Sequence, residues 1–533
     1  MLHQSTRLDP FARASSAASA LRSRISIALA VAAALGAAAS ADTFDDIGYN
    51  ALVARLGAAN VPTGASIGVG QVEANAGGYG PIQSDPQFVG KVFMPMSGPP
   101  GVSIHATSVA YNYYGDTYSI APGVANVWLW EVNSWLTGGY LNAQAASSVA
   151  PLLPPGNLRT FNNSWVGTTG VFSTDNLVLR RSDFAIRRDD VLCFNGMNNA
   201  GGDNVALMAD TFNGLSVGLT TGAHVTGPTP AGIDGPGRQK PEIVAPADFT
   251  SYATPIVAAA AVLLLDTAAT DPNLLLNTNA DHSSVIKSVL LAGGLHRATW
   301  TNNPVASGPN RGVTTTPLDP VFGVDTVNVD RSHLILTGGE VNGTDMLATA
   351  PTLGPTGWDL VGVANGQSRW WKFAISQTAS EVDVIASWHR TVASNFTTYT
   401  LANFDLRLWR VDANGVAQTL VGDPGLPYFA GGNVVSQSTV DNVEHLFVKG
   451  LAPGNYAIEL DRIDASVLSV NVGLAWILPP EPALPGDLNG DGIVDGADLG
   501  ILLGAWGTSG PGDLNGDGVV DGADLGILLG AWS

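Results

Sequence analysis

Two places in the sequence hold residues whose types and spacing could do chemistry. The first is Phe249–Ala258, FTSYATPIVA. A Thr-Ser pair there precedes VAAAAVLLLD, an apolar, Ala-rich run with the composition of a buried helix. Ser251 would stand at the N-terminus of that helix, where unpaired N–H groups and the positive dipole end stabilise negative charge. A nucleophilic serine needs that setting when a carbonyl becomes an oxyanion. The same pair also makes an ordinary helix cap, so the stretch carries both readings.

The second place is a doubled acidic loop. GDLNGDGIVDGADLGILLGAW recurs as GDLNGDGVVDGADLGILLGAW, with Asp487 of the first copy matching Asp513 of the second. In the first copy Asp487, Asn489, Asp491, Asp495 and Asp498 fall at loop positions 1, 3, 5, 9 and 12. In the second these are Asp513, Asn515, Asp517, Asp521 and Asp524. Gly492 and Gly518 hold the sharp turn, and Ile493 and Val519 would ligate through their carbonyls. Hard oxygen donors at this spacing are calcium chemistry, one ion per copy. Four carboxylates per loop crowd together cheaply only around a cation. The following ADLGILLGAW would be a helix whose apolar face packs the copies together.

The elements that must position these residues follow from patterning. SIGVGQVE, ANVWLWEV, VLCFNG and LSVGLT read as buried strands, and LNAQAASSVAPLL and TPIVAAAAVLLLD as helices. Their alternation predicts an α/β domain with a parallel sheet over residues 42–331. From 332 to 478 the pattern changes to WWKFAI, EVDVIASWH, FDLRLWRV, HLFVKGL, NYAIELDRI and LSVNVGLAWI, which predicts a β-sandwich. A Pro-rich spacer over 479–486 leads to the repeats at 487–533.

Composition removes several function classes. The chain has 533 residues and a net charge of −21, with no Lys or Arg after residue 483. That balance argues against nucleic acid as a partner. The single cysteine, Cys193, excludes an intrachain disulfide and reads as a small buried hydrophobe. Residues 1–41 read as a signal peptide: Arg7, Arg13, Arg22 and Arg24, then ISIALAVAAALGAAA, then Ala39-Ser40-Ala41. The expectation is a secreted, extracellular or cell-surface protein. No later apolar run is long enough for a transmembrane segment, the Val257–Leu265 run being too short.

Three further stretches join FTSYATPIVA in order: IHATSVAYNYYG at His105, FNNSWVG at Asn162 and RQKPEIVAPAD at Arg238. Together, over residues of about 60 to 270, they resemble the blocks of the subtilisin-like serine proteases, the subtilases. SIAPGVANVWLWEV resembles that family's Ala-Pro-Gly-Ala strand. The resemblance implies Ser251 as nucleophile and His105 as general base, with Glu73, at the end of SIGVGQVEA, standing where the family has an Asp. VLCFNGMNNAGG resembles the strand that ends in the oxyanion-hole amide. It aligns Asn198 with that group, and a shifted register would choose Asn195 or Asn199. The sequence departs from the family at Phe249, Ala106 and Met197, each where a Gly is usual, and at Ser108 in place of a second His.

The repeat pair resembles the dockerin module, which implies anchoring or assembly through a cohesin-like or cell-surface partner. The expected activity is hydrolysis of peptide bonds in a protein or peptide substrate by a serine endopeptidase. Two other classes stay open. One is an inactive relative that serves as a binding or scaffold protein. The other is a dockerin-bearing component of a polysaccharide-degrading assembly, which would need two facing carboxylates that no stretch names.

Overall fold

The computed structural model describes residues 41–202, 205–422, 428–465, 468–479, 486–489, 494–510 and 512–532. The expected signal peptide, apart from Ala41, lies outside them, as do most of the Pro-rich spacer and Asp491, Gly492 and Ile493.

Seven parallel strands form the first sheet. They are β1 (Gly68–Glu73), β2 (Val92–Pro95), β3 (Asn126–Glu131), β4 (Leu158–Asn163), β5 (Leu192–Gly196), β6 (Leu215–Leu219) and β7 (Ile243–Ala245), in spatial order β2-β3-β1-β4-β5-β6-β7. Strand order reverses at β1, so a crevice opens beyond the carboxyl ends of β1 and β4. The central strands read as short β-branched runs because they are covered on both faces. One face packs Val69, Phe194 and Val217 against Ala258–Leu265, and the other packs Val72, Trp130 and Phe161 against Val178 and Leu179. Gly70 is needed where β1 and β4 meet, since a Cβ there would lie 2.5 Å from the Phe161 ring.

Three helices matter to the site: α1 (Ile104–Tyr114), α2 (Phe172–Asp189) and α3 (Thr250–Thr270). Helix α3 has 21 residues, so it outruns its apolar core. It is the one described helix long and apolar enough to cross a membrane, and 89% of its apolar window is buried inside the fold. It is therefore the core helix of the α/β unit. Two further helices, α4 (Ser283–Ala292) and α5 (Val329–Thr337), complete that layer. The expected boundary after residue 331 falls inside α5, because Ile335 and Leu336 still belong to the first core.

LNAQAASSVAPLL is not a helix. Asn142 takes a positive φ of 54°, and buried Arg181 donates to the carbonyls of Leu141, Ala146 and Val149. One guanidinium thus satisfies the backbone that a helix would have paired internally.

The second unit has two mainly antiparallel sheets. One contains β8 (Thr356–Val363), β10 (Ala379–Trp388), β12 (Val443–Leu451) and β14 (Val470–Ile477). The other contains β9 (Ser368–Ile375), β11 (Phe404–Val411) and β13 (Gly454–Arg462). Alternate residues of both, among them Trp371, Phe404, Leu406, Val384 and Leu474, share one core. The outer face of the first sheet lies on the α/β unit. Ser288 of α4 bonds Ser387 and the Gly473 carbonyl, both at 2.7 Å, and a Cβ on Gly473 would strike the Ser284 carbonyl at 2.4 Å.

The repeats form a small unit of their own with helices α6 (Gly496–Gly504) and α7 (Gly522–Gly530). Val494, Leu502, Val520 and Leu528 make its core. Gly486 packs on Leu528 and Gly512 on Leu502, so each copy touches the other in the same way.

Candidate active site

Glu73 ends β1 with its side chain 1% exposed at the rim of the sheet. His105 is the second residue of α1, whose start is fixed by Ser103 accepting the Ala106 N–H. The two meet, with Nδ1 of His105 2.8 Å from Oε2 of Glu73. An ionised carboxylate only accepts, so the proton lies on Nδ1 and Nε2 keeps its lone pair. Gln71 donates to the other Glu73 oxygen at 2.9 Å and to the Ala106 carbonyl at 2.8 Å, and Tyr114 donates in turn to Gln71. Strand β1 therefore supplies both the carboxylate and the amide that orients it, two residues apart on one face. Burial pulls the His105 pKa down, but the charge and hydrogen bond of Glu73 outweigh it and leave the pKa raised.

Ser251 is the second residue of α3. Its Oγ lies 3.4 Å from the Ser164 carbonyl, its single hydrogen bond among the described residues, while Ser164 Oγ donates to the Ser251 carbonyl at 2.7 Å. Ser164 follows β4 directly, so the nucleophile candidate is tied to the edge of the parallel sheet. The His105 ring stands 5.9 Å from that of Tyr252, which brings Glu73, His105 and Ser251 to one rim of the sheet. The hydroxyl is turned to Ser164 and not to His105.

Asn198 and Asn199 lie in the turn after β5. Asn198 rests its amide against Gly202. Asn199 instead accepts from the Thr250 N–H at 3.1 Å and from Thr250 Oγ1 at 3.2 Å. Those bonds fix its amide orientation and leave Nδ2 without a hydrogen-bond partner among the described residues. Asn195 is committed elsewhere, accepting from Asn163 at 2.9 Å and donating to Thr211 at 3.1 Å. Of the three asparagines, Asn199 is the one bonded to the start of α3, and β5 pairing runs on through the Met197 N–H to the Val217 carbonyl at 3.0 Å.

The residues that depart from glycine cause no backbone strain. Phe249 has φ −139°, an extended value open to any residue, and its ring packs edge-on against Tyr252 at 6.0 Å. Ala106 is helical, as is Ser108, which stands in place of a His and not of a Gly, and Met197 is not among the positive-φ residues. Cys193 is buried and unpaired, and burial pushes its thiol pKa up.

No family model and no curated protein matches the sequence. Among solved structures the chain is similar to the MycP3 protease from the type VII (ESX-3) secretion system, at 14% identity and a TM-score of 0.35, covering 56% of this chain and 88% of that one. It is similar to the prenylagaramide maturation protease PagA at 18% identity, covering 53% and 97%, with a TM-score of 0.34. It is similar to the patellamide maturation protease PatA at 19% identity, covering 51% and 97%, again at 0.34. At such values the site is read from its own geometry.

The second acidic loop is fully described. Asp513 accepts the N–H groups of Gly516, Asp517 and Gly518 at 2.8–3.1 Å, and Asn515 accepts that of Asp517 at 2.9 Å. Asp517 accepts from Val519, and Asp524 from Leu514, Asn515 and Asp521. Gly516 and Gly518 take φ of 74° and 93°, as the turn requires. Backbone donors, that of Asp521 foremost, hold the Asp524 carboxyl below its ordinary pKa. These side chains offer a hard cation mostly oxygen donors, the amide nitrogen of Asn515 being held on Asp517 at 2.9 Å, so the loop fits calcium. In the first loop Asp495 and Asp498 repeat the same capping geometry.

Proposed function

We propose that this chain is a secreted serine endopeptidase of subtilase type that cleaves protein or peptide substrates. The reading is carried by the Glu73–His105 pair, a buried carboxylate fixing the imidazole so that its free nitrogen serves as base, at the rim from which α3 starts with Ser251. On substrate binding the Ser251 hydroxyl leaves the Ser164 carbonyl for His105 Nε2. Oγ attacks the scissile carbonyl carbon, its proton passes to Nε2, and the carbonyl π pair becomes the oxyanion. The Ser251 N–H and Asn199 Nδ2 donate to that oxygen. Collapse expels the amine, which takes the proton from His105, and water then hydrolyses the Ser251 ester by the same relay.

The Ser251 rotamer also supports a second reading, a catalytically silent relative kept for binding. Incubating the calcium-loaded chain with unfolded protein substrates and sequencing the products separates the two. The protease reading expects new termini that vanish in Ser251→Ala. Substrate left intact by folded wild-type protein favours the silent reading.

Calcium is the cofactor of the C-terminal repeats in this proposal. Asp487, Asn489, Asp491, the Ile493 carbonyl, Asp495 and Asp498 would hold one ion. Asp513, Asn515, Asp517, the Val519 carbonyl, Asp521 and Asp524 would hold the other. The ions offset loop carboxylates that would otherwise repel, and so fix the unit as a dockerin-like anchor. Exposed Leu503 and Leu529, with Trp506 and Trp532, form a duplicated apolar face for a cohesin-like or surface partner.

A further inference from the structure

A second cluster of chemically capable side chains lies far in sequence from the Ser251 site, at the seam between the α/β unit and the sandwich. His296 follows α4, while Asp383 and His445 come from neighbouring strands β10 and β12. In that antiparallel pair Asp383 faces Phe447 and Ile385 faces His445, so Asp383 and His445 are diagonal neighbours on one face. It is the face that turns away from the sandwich core, since Ile385 and Val443 pack into the core of the α/β unit. One ligand atom from each of the three lies within 4.8 Å of the others.

Around His296 the distances are wrong for a finished hydrogen-bond network. His296 is 1% exposed at its side chain, and neither ring nitrogen has a hydrogen-bond partner among the described residues. Its Nδ1 stands 3.5 Å from Asp383 Oδ2 and 3.7 Å from Glu381 Oε1, beyond the usual N–H···O range. Oδ2 of Asp383, also fully buried, likewise has no hydrogen-bond partner among the described residues. Leaving two such groups bare costs free energy for each, and native interiors rarely do so. The donor atoms around one ion, in contrast, stand slightly farther apart than hydrogen-bond partners, as those at His296 do. A tetrahedron with bonds of about 2.0 Å has edges of about 3.3 Å, close to these separations.

The surroundings have the form of a metal site. His445 Nδ1 lies 3.2 Å from the Pro317 carbonyl, while its Nε2 makes a 2.9 Å hydrogen bond with Asp383 Oδ1 that a bound ion would replace. A ring N–H held by a carbonyl leaves the other nitrogen as ligand, the usual arrangement behind a metal-bound histidine. Trp300 and Phe447 pack on the His296 ring at 4.5 and 4.1 Å and exclude water from that side. Arg331 anchors Glu381 at 3.2 Å, keeping its carboxylate beside the cluster.

We propose that His296, Asp383 and His445, with Glu381 as fourth ligand, form a structural site for a divalent transition metal of the zinc class. Two imidazoles select such an ion over calcium, which takes oxygen ligands. Four protein ligands close the coordination sphere, so the ion's work is structural. It pins the segment after α4 to two strands of the sandwich and thereby fixes the two units against each other.

The test uses the full chain, stripped with chelator and then saturated with calcium so that the acidic loops are filled. Cobalt is titrated in as the probe. The expected result is one tightly held equivalent with the intense visible bands of a four-coordinate site. Zinc should displace it and raise the thermal midpoint. His296→Ala and His445→Ala should each lose the bands while circular dichroism stays unchanged. Should either variant fail to fold, the wild-type spectrum decides alone. Folded wild-type protein that holds no cobalt or zinc after desalting, or shows only weak six-coordinate bands, overturns the site. So does a folded His296→Ala that keeps the full spectrum. In those cases the cluster is a metal-free histidine–carboxylate network.

Discussion

Glu73 reaches His105 although it is one methylene longer than an aspartate, because its second oxygen is held back by Gln71 on the same strand. Its charge is what raises the imidazole pKa against the pull of burial. The neutral ring is the base, so kcat/KM should rise as pH climbs through that raised value. Glu73→Gln keeps the shape and removes the charge. It should lower kcat by about 10³–10⁴-fold and move the acidic limb of the pH profile to lower pH. A measured profile with an unmoved limb would detach Glu73 from the base. Of this network the sequence exposed Glu73 and His105 through their blocks. Gln71 sat inside the quoted strand unnoticed, although its place two residues before Glu73 puts both on one face.

In the proposed mechanism, the turn between β5 and the segment that leads to α3 decides which amide serves the oxyanion. Asn199 is bound to the first residue of α3, whereas Asn198 rests on Gly202. Replacing Asn199 by Ala should lower kcat by about 10²–10³-fold with little change in KM, and the same change at Asn198 should cost far less. Steady-state kinetics on a peptide substrate checks the contrast; an inverted order would return the role to Asn198. Which of three asparagines within five positions bonds the start of α3 was beyond sequence reading. The strands themselves were legible, since burial on both faces leaves uninterrupted apolar runs. LNAQAASSVAPLL was not, because its fate depends on a distant guanidinium, Arg181. Helix α2 went unread for a related reason: its buried face includes Asp175, Arg181 and Asp183, so no clean apolar stripe appears.

At the scale of the whole molecule, the α/β unit and the sandwich share buried charge. Arg390, fully buried just after β10, bonds Asp183 of α2 at 2.5 Å and Asp234 at 2.9 Å and packs on Phe212 and Tyr399. Arg390→Ala leaves the buried Asp183 carboxylate without its cation, while Asp234 keeps Arg180 at 2.7 Å, and should destabilise the fold by about 3–5 kcal/mol, read by denaturant unfolding. Wild-type stability in that variant would show that this ion pair contributes nothing to holding the seam. The repeats behave differently, since their core consists of Val494, Leu502, Val520 and Leu528. So small a core needs a staple. Chelating calcium should melt this unit first, seen as a separate calorimetric transition, while the α/β unit stays folded. The sequence displayed the repeats openly because ligand spacing is local. The seam was invisible in it, for Arg390 and Asp183 lie 207 residues apart.

All of this rests on a serine that acts as a nucleophile, and an active-site fluorophosphonate reports that directly. Folded, calcium-loaded wild-type protein should take one label, on the peptide that contains Ser251, faster as pH rises through the His105 pKa. Ser251→Ala should take none. Folded wild-type protein that stays unlabelled, or a label that persists in Ser251→Ala, would contradict the account.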